Sequence, residues 1–201
     1  MDNSIVLYGA SGHCKVIIDI LHSRNVNLII VDDAPTQNLI LGIGVNNAKD
    51  FLFNANTNVI ISIGDNKIRK FLSTKISANF EVAVHDKAIV SKYAIIGQGT
   101  VVMGGAVINA DVQIGTHCII NTGAVVEHDC VISNFVHISP NAALAGGVII
   151  GEGSQIGIGA VIKQGINIGK WAMVGAGTVV IEDVLDYTII VGNPGRILNK
   201  E

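Results

Sequence analysis

The sequence predicts an α/β, Rossmann-like domain over residues 1–82, a parallel β-solenoid over residues 83–181 and a tail over residues 182–201. Three observations carry this. From Val84 to Val180 every sixth residue is Val, Ile or Leu, without one insertion. At 49% hydrophobic content such a run would arise by chance on the order of once in 10^5 frames. Ahead of it, apolar runs end in a glycine turn or in paired aspartates, as in half of a doubly wound nucleotide-binding unit. Aromatics are only 4%, which suits thin coils filled by Val, Ile and Ala rather than a core built around large rings.

In chain order, Ile5-Val6-Leu7-Tyr8 reads as a buried strand and Gly9-Ala10-Ser11-Gly12 as a tight turn. His13 to Ser23 reads as a helix with Val16, Ile17, Ile20 and Leu21 on one side. A second strand, Leu28 to Val31, ends in Asp32-Asp33; a third, Val59 to Ile63, ends in Gly64-Asp65-Asn66 and leads to a helix carrying Lys67 and Arg69. Ligands of such units lie beyond the carboxyl ends of the strands. A dinucleotide fingerprint aligned on Gly9 would need glycine at positions 11 and 14, which are Ser11 and Cys14, and about 80 residues supply one mononucleotide half rather than two. A mononucleotide or nucleotide-sugar near the amides of the Gly9–His13 turn fits better; a small packing domain is the alternative.

A period of six matches neither a helix nor one long strand. It does suit a coil of short strands and turns with one side chain per flat face pointing inward. The residues two places before each aliphatic are mostly small, among them Ala88, Ala106, Cys118, Ala124, Cys130 and Ala142, as a narrow interior requires. Glycine follows the aliphatic at 97, 115, 151, 157, 169 and 175, where turns are expected to need unusual backbone angles. Three hexads would close one triangular coil of about 18 residues, with coils stacked about 4.8 Å apart.

Composition narrows the partners. A net charge of -3 and a pI near 6.0 leave no footprint for nucleic acid. Mean hydropathy is +0.52, but no unbroken apolar stretch is long enough for a transmembrane helix. The start, Met1-Asp2-Asn3-Ser4, lacks a basic n-region, so a cytoplasmic protein is expected. The cysteines lack CxxC spacing, against both a disulfide framework and a zinc site. Cys118 and Cys130 fall on inward positions, while Cys14 reads either as a thiol at a helix start or as packing.

Chemistry would come from residues that break the period, and Glu127-His128-Asp129 does so. His128, two places past the inward Val126, should point outward from a corner. Taking a proton from an amine or hydroxyl needs a base near neutral pKa, which imidazole supplies, and a flanking carboxylate can fix its tautomer. The alternative is a polar exposed corner. One coil further, at a spacing of 18, stands Gly146, whose amide would lie about one rung from that histidine.

Taken together, the Gly9-Ala10-Ser11-Gly12-His13 turn, Asp32-Asp33, Ile63-Gly64-Asp65-Asn66 with Arg69, Asn121-Thr122 and Glu127-His128-Asp129 resemble the bacterial nucleotide-amino-sugar N-acetyltransferases. These are hexapeptide-repeat, left-handed β-helix enzymes such as those of the bacillosamine pathway, and sialic acid O-acetyltransferase-like proteins share the layout. The resemblance spans essentially the whole chain and reaches the tail Val191–Arg196, where Gly195 stands for the usual Ala. The left hand is implied by the resemblance alone, since parallel crossovers usually favour the right-handed form.

The resemblance implies a homotrimer, acetyl-CoA as cosubstrate, no metal and direct transfer with His128 as base. Asp129 is its first-choice partner, Glu127 the second, and the Gly146 amide the oxyanion donor. The coenzyme would lie near His137, Gly146, Ile158 and Ala176, with Lys163, Lys170 and Arg196 available to its phosphates or simply solvated. The nucleotide-sugar would meet Ser11, Gly12, His13, Asp32, Asp33, Asp65, Asn66, Arg69 and Asn121, and the favoured acceptor is a UDP-linked 4-amino-dideoxy sugar. His22, His85 and His117 are left as structural. O-acetylation of sialic acid or another sugar and a non-catalytic solenoid binding module are the rival readings. The metal site of a γ-type carbonic anhydrase needs a histidine spacing that His117, His128 and His137 do not have.

Overall fold

The computed structural model describes residues 4–24 and 26–198; Met1, Asp2 and Asn3 of the expected first domain and the last three residues of the expected tail lie outside the described residues. The first part of the chain runs β1 (Ser4–Tyr8), α1 (Gly12–His22), β2 (Asn27–Asp32), β3 (Leu39–Ile40), β4 (Ile43–Asn47), β5 (Asn58–Ile61), α2 (Asn66–Lys75) and β6 (Asn79–Phe80). The sheet order is β3-β4-β2-β1-β5-β6, parallel except for the β3–β4 hairpin. The three expected strands are present, the third ending at Ile61 rather than Ile63; β3, β4 and β6 are additional. α1 buries Cys14, Ile17, Ile18, Ile20 and Leu21. Val16, expected on that side, lies just outside the stripe and is 38% exposed.

The solenoid has three flat faces of two-residue strands. The first carries Ala83–Val84, Val101–Val102, Ile119–Ile120, His137–Ile138, Gln155–Ile156 and Met173–Val174; the second runs from Ile89–Val90 to Val179–Val180; the third runs from Ile95–Ile96 to Asn167–Ile168. Through Val161–Ile162 each strand pairs in parallel with the one 18 residues on, as Val101↔Ile119, Val107↔Val125 and Gln113↔Val131 show, and Met173–Val174 pairs 16 residues on with Ile189 and Ile190. The every-sixth aliphatics and the small residues two places before them form one continuous core, with Cys118 and Cys130 fully inside it. Burying each such isoleucine or valine stabilises the coil by roughly 1.5–3 kcal/mol relative to exposure. The first face continues past residue 181 through Ile189–Val191, against which Arg196–Ile197 folds back antiparallel.

The turn glycines correct the sequence expectation. None of the glycines at 97, 115, 151, 157, 169 and 175 has a positive φ. The left-handed residue is the third after each aliphatic from Ile96 to Val174, at Gly99, Gly105, Asp111, His117, Gly123 and Asp129 and onward to Gly177. The glycines next to the aliphatics are needed because coils touch there: a Cβ on Gly97 would lie 2.6 Å from the Gly115 carbonyl carbon, and one on Gly157 2.6 Å from that of Gly175.

The two domains share a core. α1 lies between its own sheet and the first face of the solenoid, where Ile17 and Ile20 cluster with Ala83, Val101, Met103 and Ile119. This places the carboxyl ends of β1, β2 and β5 alongside the coils that carry His137 and Gln155. Among the described residues no helix is long and apolar enough to cross a membrane.

Candidate active site

His128 occupies the edge between the second and third faces, in the turn after Val125–Val126. Its ring is exposed, and Nδ1 lies 2.7 Å from Asp129 Oδ2. A carboxylate only accepts, so Nδ1 carries the hydrogen and Nε2 keeps a free lone pair. The left-handed backbone of Asp129 (φ 62), which aspartate tolerates better than most residues, turns its carboxylate back beside the ring. That hydrogen bond, then the charges of Asp129 and Glu127, raise the His128 pKa above its ordinary value. Glu127 makes only a long contact to the His128 amide, 3.4 Å.

Gly146 lies directly against this ring: a Cβ there would stand 2.6 Å from Cε1 and 2.8 Å from Nε2 of His128. The next amide, Gly147, donates to the His128 carbonyl at 2.9 Å, while no hydrogen bond to the Gly146 amide is found among the described residues. An imidazole with one nitrogen free, the carboxylate that orients it and an open amide therefore converge at one corner. Lys163 stands on the same edge, in the column of Glu127.

The expected sugar-side residues divide into open and occupied ones. Ser11 is the N-cap of α1 and makes no side-chain capping bond; Ser11 and Gly12 are exposed, leaving the first-turn amides of α1 open. Asp32 is already engaged, accepting from the amides of Ala10 (2.8 Å) and Ala34 (2.9 Å). Asp33 accepts from the Tyr8 hydroxyl at 2.9 Å. Asp65 caps α2 by accepting from the Ile68 amide at 2.9 Å. Cys14 is fully buried, and burial pushes its thiol up to about 11, so packing, not reactivity, describes it.

Asn66 and Arg69, expected to hold the nucleotide, are instead consumed between the domains. Arg69 is 1% exposed; its Nε donates to the His117 carbonyl at 2.7 Å, and its terminal nitrogens donate to the carbonyls of Ile63, Gly64 and Phe135 and to Asn66 Oδ1. All five guanidinium hydrogens are thereby used. The Asn66 amide donates to the Gly153 carbonyl at 3.0 Å.

His137 lies on the first face beneath this junction. Asn121 Oδ1 accepts from the Thr122 amide, so Asn121 Nδ2 donates to His137 Nε2 at 3.0 Å and the His137 hydrogen sits on Nδ1, which like His13 Nε2 is buried and makes no hydrogen bond among the described residues. Burial first, then the charge of Arg69, lowers the His137 pKa to about 4. Burial, then His137, then Arg69, lowers His13 to about 3. His117 is structural, as expected: stacked on Phe135 at 5.3 Å and edge-on to Phe80 at 4.5 Å, it is held near 4, chiefly by burial.

One chain therefore brings His13, His137 and Asn121 together, and separately His128, Asp129 and Gly146. Ile158 and Ala176 are exposed one above the other on the edge between the first and second faces. His128 lies on the opposite edge of the second face. Lys170 sits beside Trp171 on the third edge, away from Ile158 and Ala176, and Arg196 is exposed in the returning tail strand. Among the described residues there is no group of three or more His, Cys, Asp or Glu that would hold a metal ion.

Sequence reading missed a cleft of ≈ 380 Å³ beyond the carboxyl end of β5, lined by Asp65, Lys67, Gln155, Trp171, Met173 and Tyr187 among others. Trp171, the chain's single tryptophan, was the available signal.

Residues 4–76 match the model of the PglD N-terminal domain, and residues 93–128 match the bacterial transferase hexapeptide model of six repeats. A perosamine N-acetyltransferase variant from Caulobacter crescentus, solved with CoA and GDP-perosamine, is 37% identical over 98% of this chain and 97% of its own, with a TM-score of 0.91. The acetyltransferase domain of PglB from Neisseria gonorrhoeae, solved with acetyl coenzyme A, is 34% identical over 98% of this chain and 100% of its own, at a TM-score of 0.92. WeeI from Acinetobacter baumannii is 28% identical over 96% of this chain and 99% of its own, at 0.89. No curated protein sequence matches the chain at a significant level.

Proposed function

Since the chain belongs to the hexapeptide-repeat sugar N-acetyltransferases with a PglD-type N-terminal domain, we propose that it moves the acetyl group of acetyl-CoA to the 4-amino group of a UDP-linked amino-dideoxy sugar, as a cytoplasmic homotrimer. The observation that carries the chemistry is the His128 ring, tied through Nδ1 to Asp129 and laid against Gly146. As the neutral sugar amine attacks the thioester carbonyl carbon, His128 Nε2 takes the amine proton and Asp129 stabilises the resulting imidazolium. The oxyanion faces the Gly146 amide. Collapse expels the coenzyme A thiolate, which recovers the proton from His128.

The nucleotide half rests on the open first-turn amides of α1, on Ser11 and Gly12 and on the strand ends at Asp32 and Asp33, where a diphosphate and ribose would be met. His13, His137 and Asn121 would border the sugar and the acetyl group, with Ile158 and Ala176 along the pantetheine arm.

The second face supports the trimer. Its outward residues are all apolar: Ile89, Val107, Val125, Ala143, Val161 and Val179. His128 lies on one edge of this face, and Asn121, bonded to His137 of the first face, lies on the other, so a neighbouring chain packed on it would bring one chain's His128 towards another's Asn121, His137 and His13.

The test compares kcat/KM with acetyl-CoA for a UDP-linked amino sugar, its GDP analogue, the nucleotide-free sugar and sialic acid, using enzyme whose mass is read by light scattering. The UDP-linked acceptor should react best, on a trimer, because remote binding energy orients the amine. GDP belongs in the set because the Caulobacter relative was solved with a GDP-sugar. Equal efficiency for the nucleotide-free sugar or sialic acid, or an active monomer, would refute the reading.

A further inference from the structure

We infer that Arg69 is a positioning residue, a clamp that sets the nucleotide-binding strand ends in fixed register on the coils bordering the acetyl-transfer site. This rests on the nucleotide-sugar reading above. Arg69 donates to three carbonyls or side chains of its own loop, at Ile63, Gly64 and Asn66, and to two solenoid carbonyls, at His117 and Phe135. Asn66 carries the link one coil further, to Gly153. His117, Phe135 and Gly153 stand 18 residues apart in one column, so the guanidinium joins the 63–66 turn to two successive coils and its partner Asn66 adds a third.

None of the five acceptors is a carboxylate. A buried cation without a counter-ion is poor glue, because desolvation opposes it, and the apolar contact of α1 with Val101, Met103 and Ile119 already docks the domains. What the planar fork supplies is geometry: five acceptors are matched together at one relative placement only.

Both ends of the clamp lead to the site. The 63–66 turn follows Ser62, whose amide donates to the Tyr8 carbonyl and whose hydroxyl donates to the Gly9 carbonyl at 2.6 Å, fixing the glycine turn. Phe135 stands two residues before His137.

Arg69→Lys keeps the charge and loses the fork. In that variant KM for the nucleotide-linked amino sugar should rise about 10- to 100-fold, the size of effect that misplacement of a bound reactant produces. KM for acetyl-CoA and the rate with the nucleotide-free sugar should stay at wild-type levels. The ratio of kcat/KM for the two acceptors reads the role, because general destabilisation would lower both alike. Asn66→Ala, which removes one link, should give a smaller loss of the same ratio and decides the matter if Arg69→Lys does not fold. A ratio unchanged in the folded variant, whether both acceptors fall together or neither falls, overturns the clamp. A wild-type enzyme with no preference for the nucleotide-linked sugar would instead sink the functional reading, and this inference with it.

Discussion

At position 128 an imidazole stands in solvent with one nitrogen tied and the other free, which is the arrangement a proton acceptor needs. His128→Ala should lower kcat by about 10^2- to 10^4-fold while acetyl-CoA affinity and Tm stay near wild type, because the ring is exposed and closes no core. Asp129→Asn should cost less, since it disturbs orientation rather than the acceptor; single-turnover kinetics would separate the two, and near-normal turnover by the alanine variant would remove the assignment. The sequence points to this residue because a Glu-His-Asp triplet stands out at a corner of an otherwise aliphatic and small-residue repeat. It does not reveal how the polar residues of the first domain are spent. Asp65 and Ser11 both precede helices, yet one caps its helix and the other is free. Asp32 and Asp33 are adjacent, yet one accepts two amides and the other a phenol. Arg69 reads as a ligand-binding cation until its five acceptors are seen, four of them backbone carbonyls, which no residue type announces.

At the scale of the element, the hexad is legible almost completely, because one aliphatic per six residues determines which atoms face inward. What the period leaves open is why glycine recurs beside that aliphatic, and the answer is distance between coils rather than backbone angle. Gly157→Ala would drive a Cβ to 2.6 Å from backbone atoms of the next coil. It should therefore lower stability by roughly 1–3 kcal/mol, seen as a fall in Tm by calorimetry. Gly165→Asn, at a left-handed position (φ +71) with nothing within 4 Å of a Cβ, should leave Tm nearly unchanged, since asparagine tolerates that conformation. Equal shifts in the two variants would contradict the spacing argument. The strands the sequence hides are β3 and β6, of two residues each, and β4; β4 and β6 carry Asn46, Asn47 and Asn79, residues more often read as turn than as strand.

At the scale of the whole molecule, three neutral histidines line the inter-domain junction. His13, His117 and His137 have folded pKa values of about 3, 4 and 4, below the value near 6.5 expected in the unfolded chain. The unfolded state therefore binds more protons once the pH drops below about 6.5. The stability that these groups contribute is complete above that pH, falls as the pH descends towards 4, and levels off near 3. Tm followed from pH 8 to 4 should decline through this window, and His117→Phe, which keeps the aromatic stack, should flatten the decline. A profile identical in that variant would show that the junction does not govern it. None of this junction is visible in sequence, because it is made of contacts between residues 48 to 87 positions apart.

The eighteen-residue pairing register also acts on length. Because every strand is hydrogen-bonded to the one a full coil away, the solenoid can be counted off like a reading frame. Losing or gaining a residue within it would rotate every later side chain off its face, turning aliphatics out to water and glycines away from the coils they must approach. A change of six would restore inward and outward but move each later residue to the next face, carrying His128 away from the edge that holds it. Only a change of eighteen would return every residue to its own face, at the cost of raising all that follows by one coil. Variation in length among chains of this shape is therefore to be sought in the β3–β4 hairpin and the returning tail, where no such frame is kept.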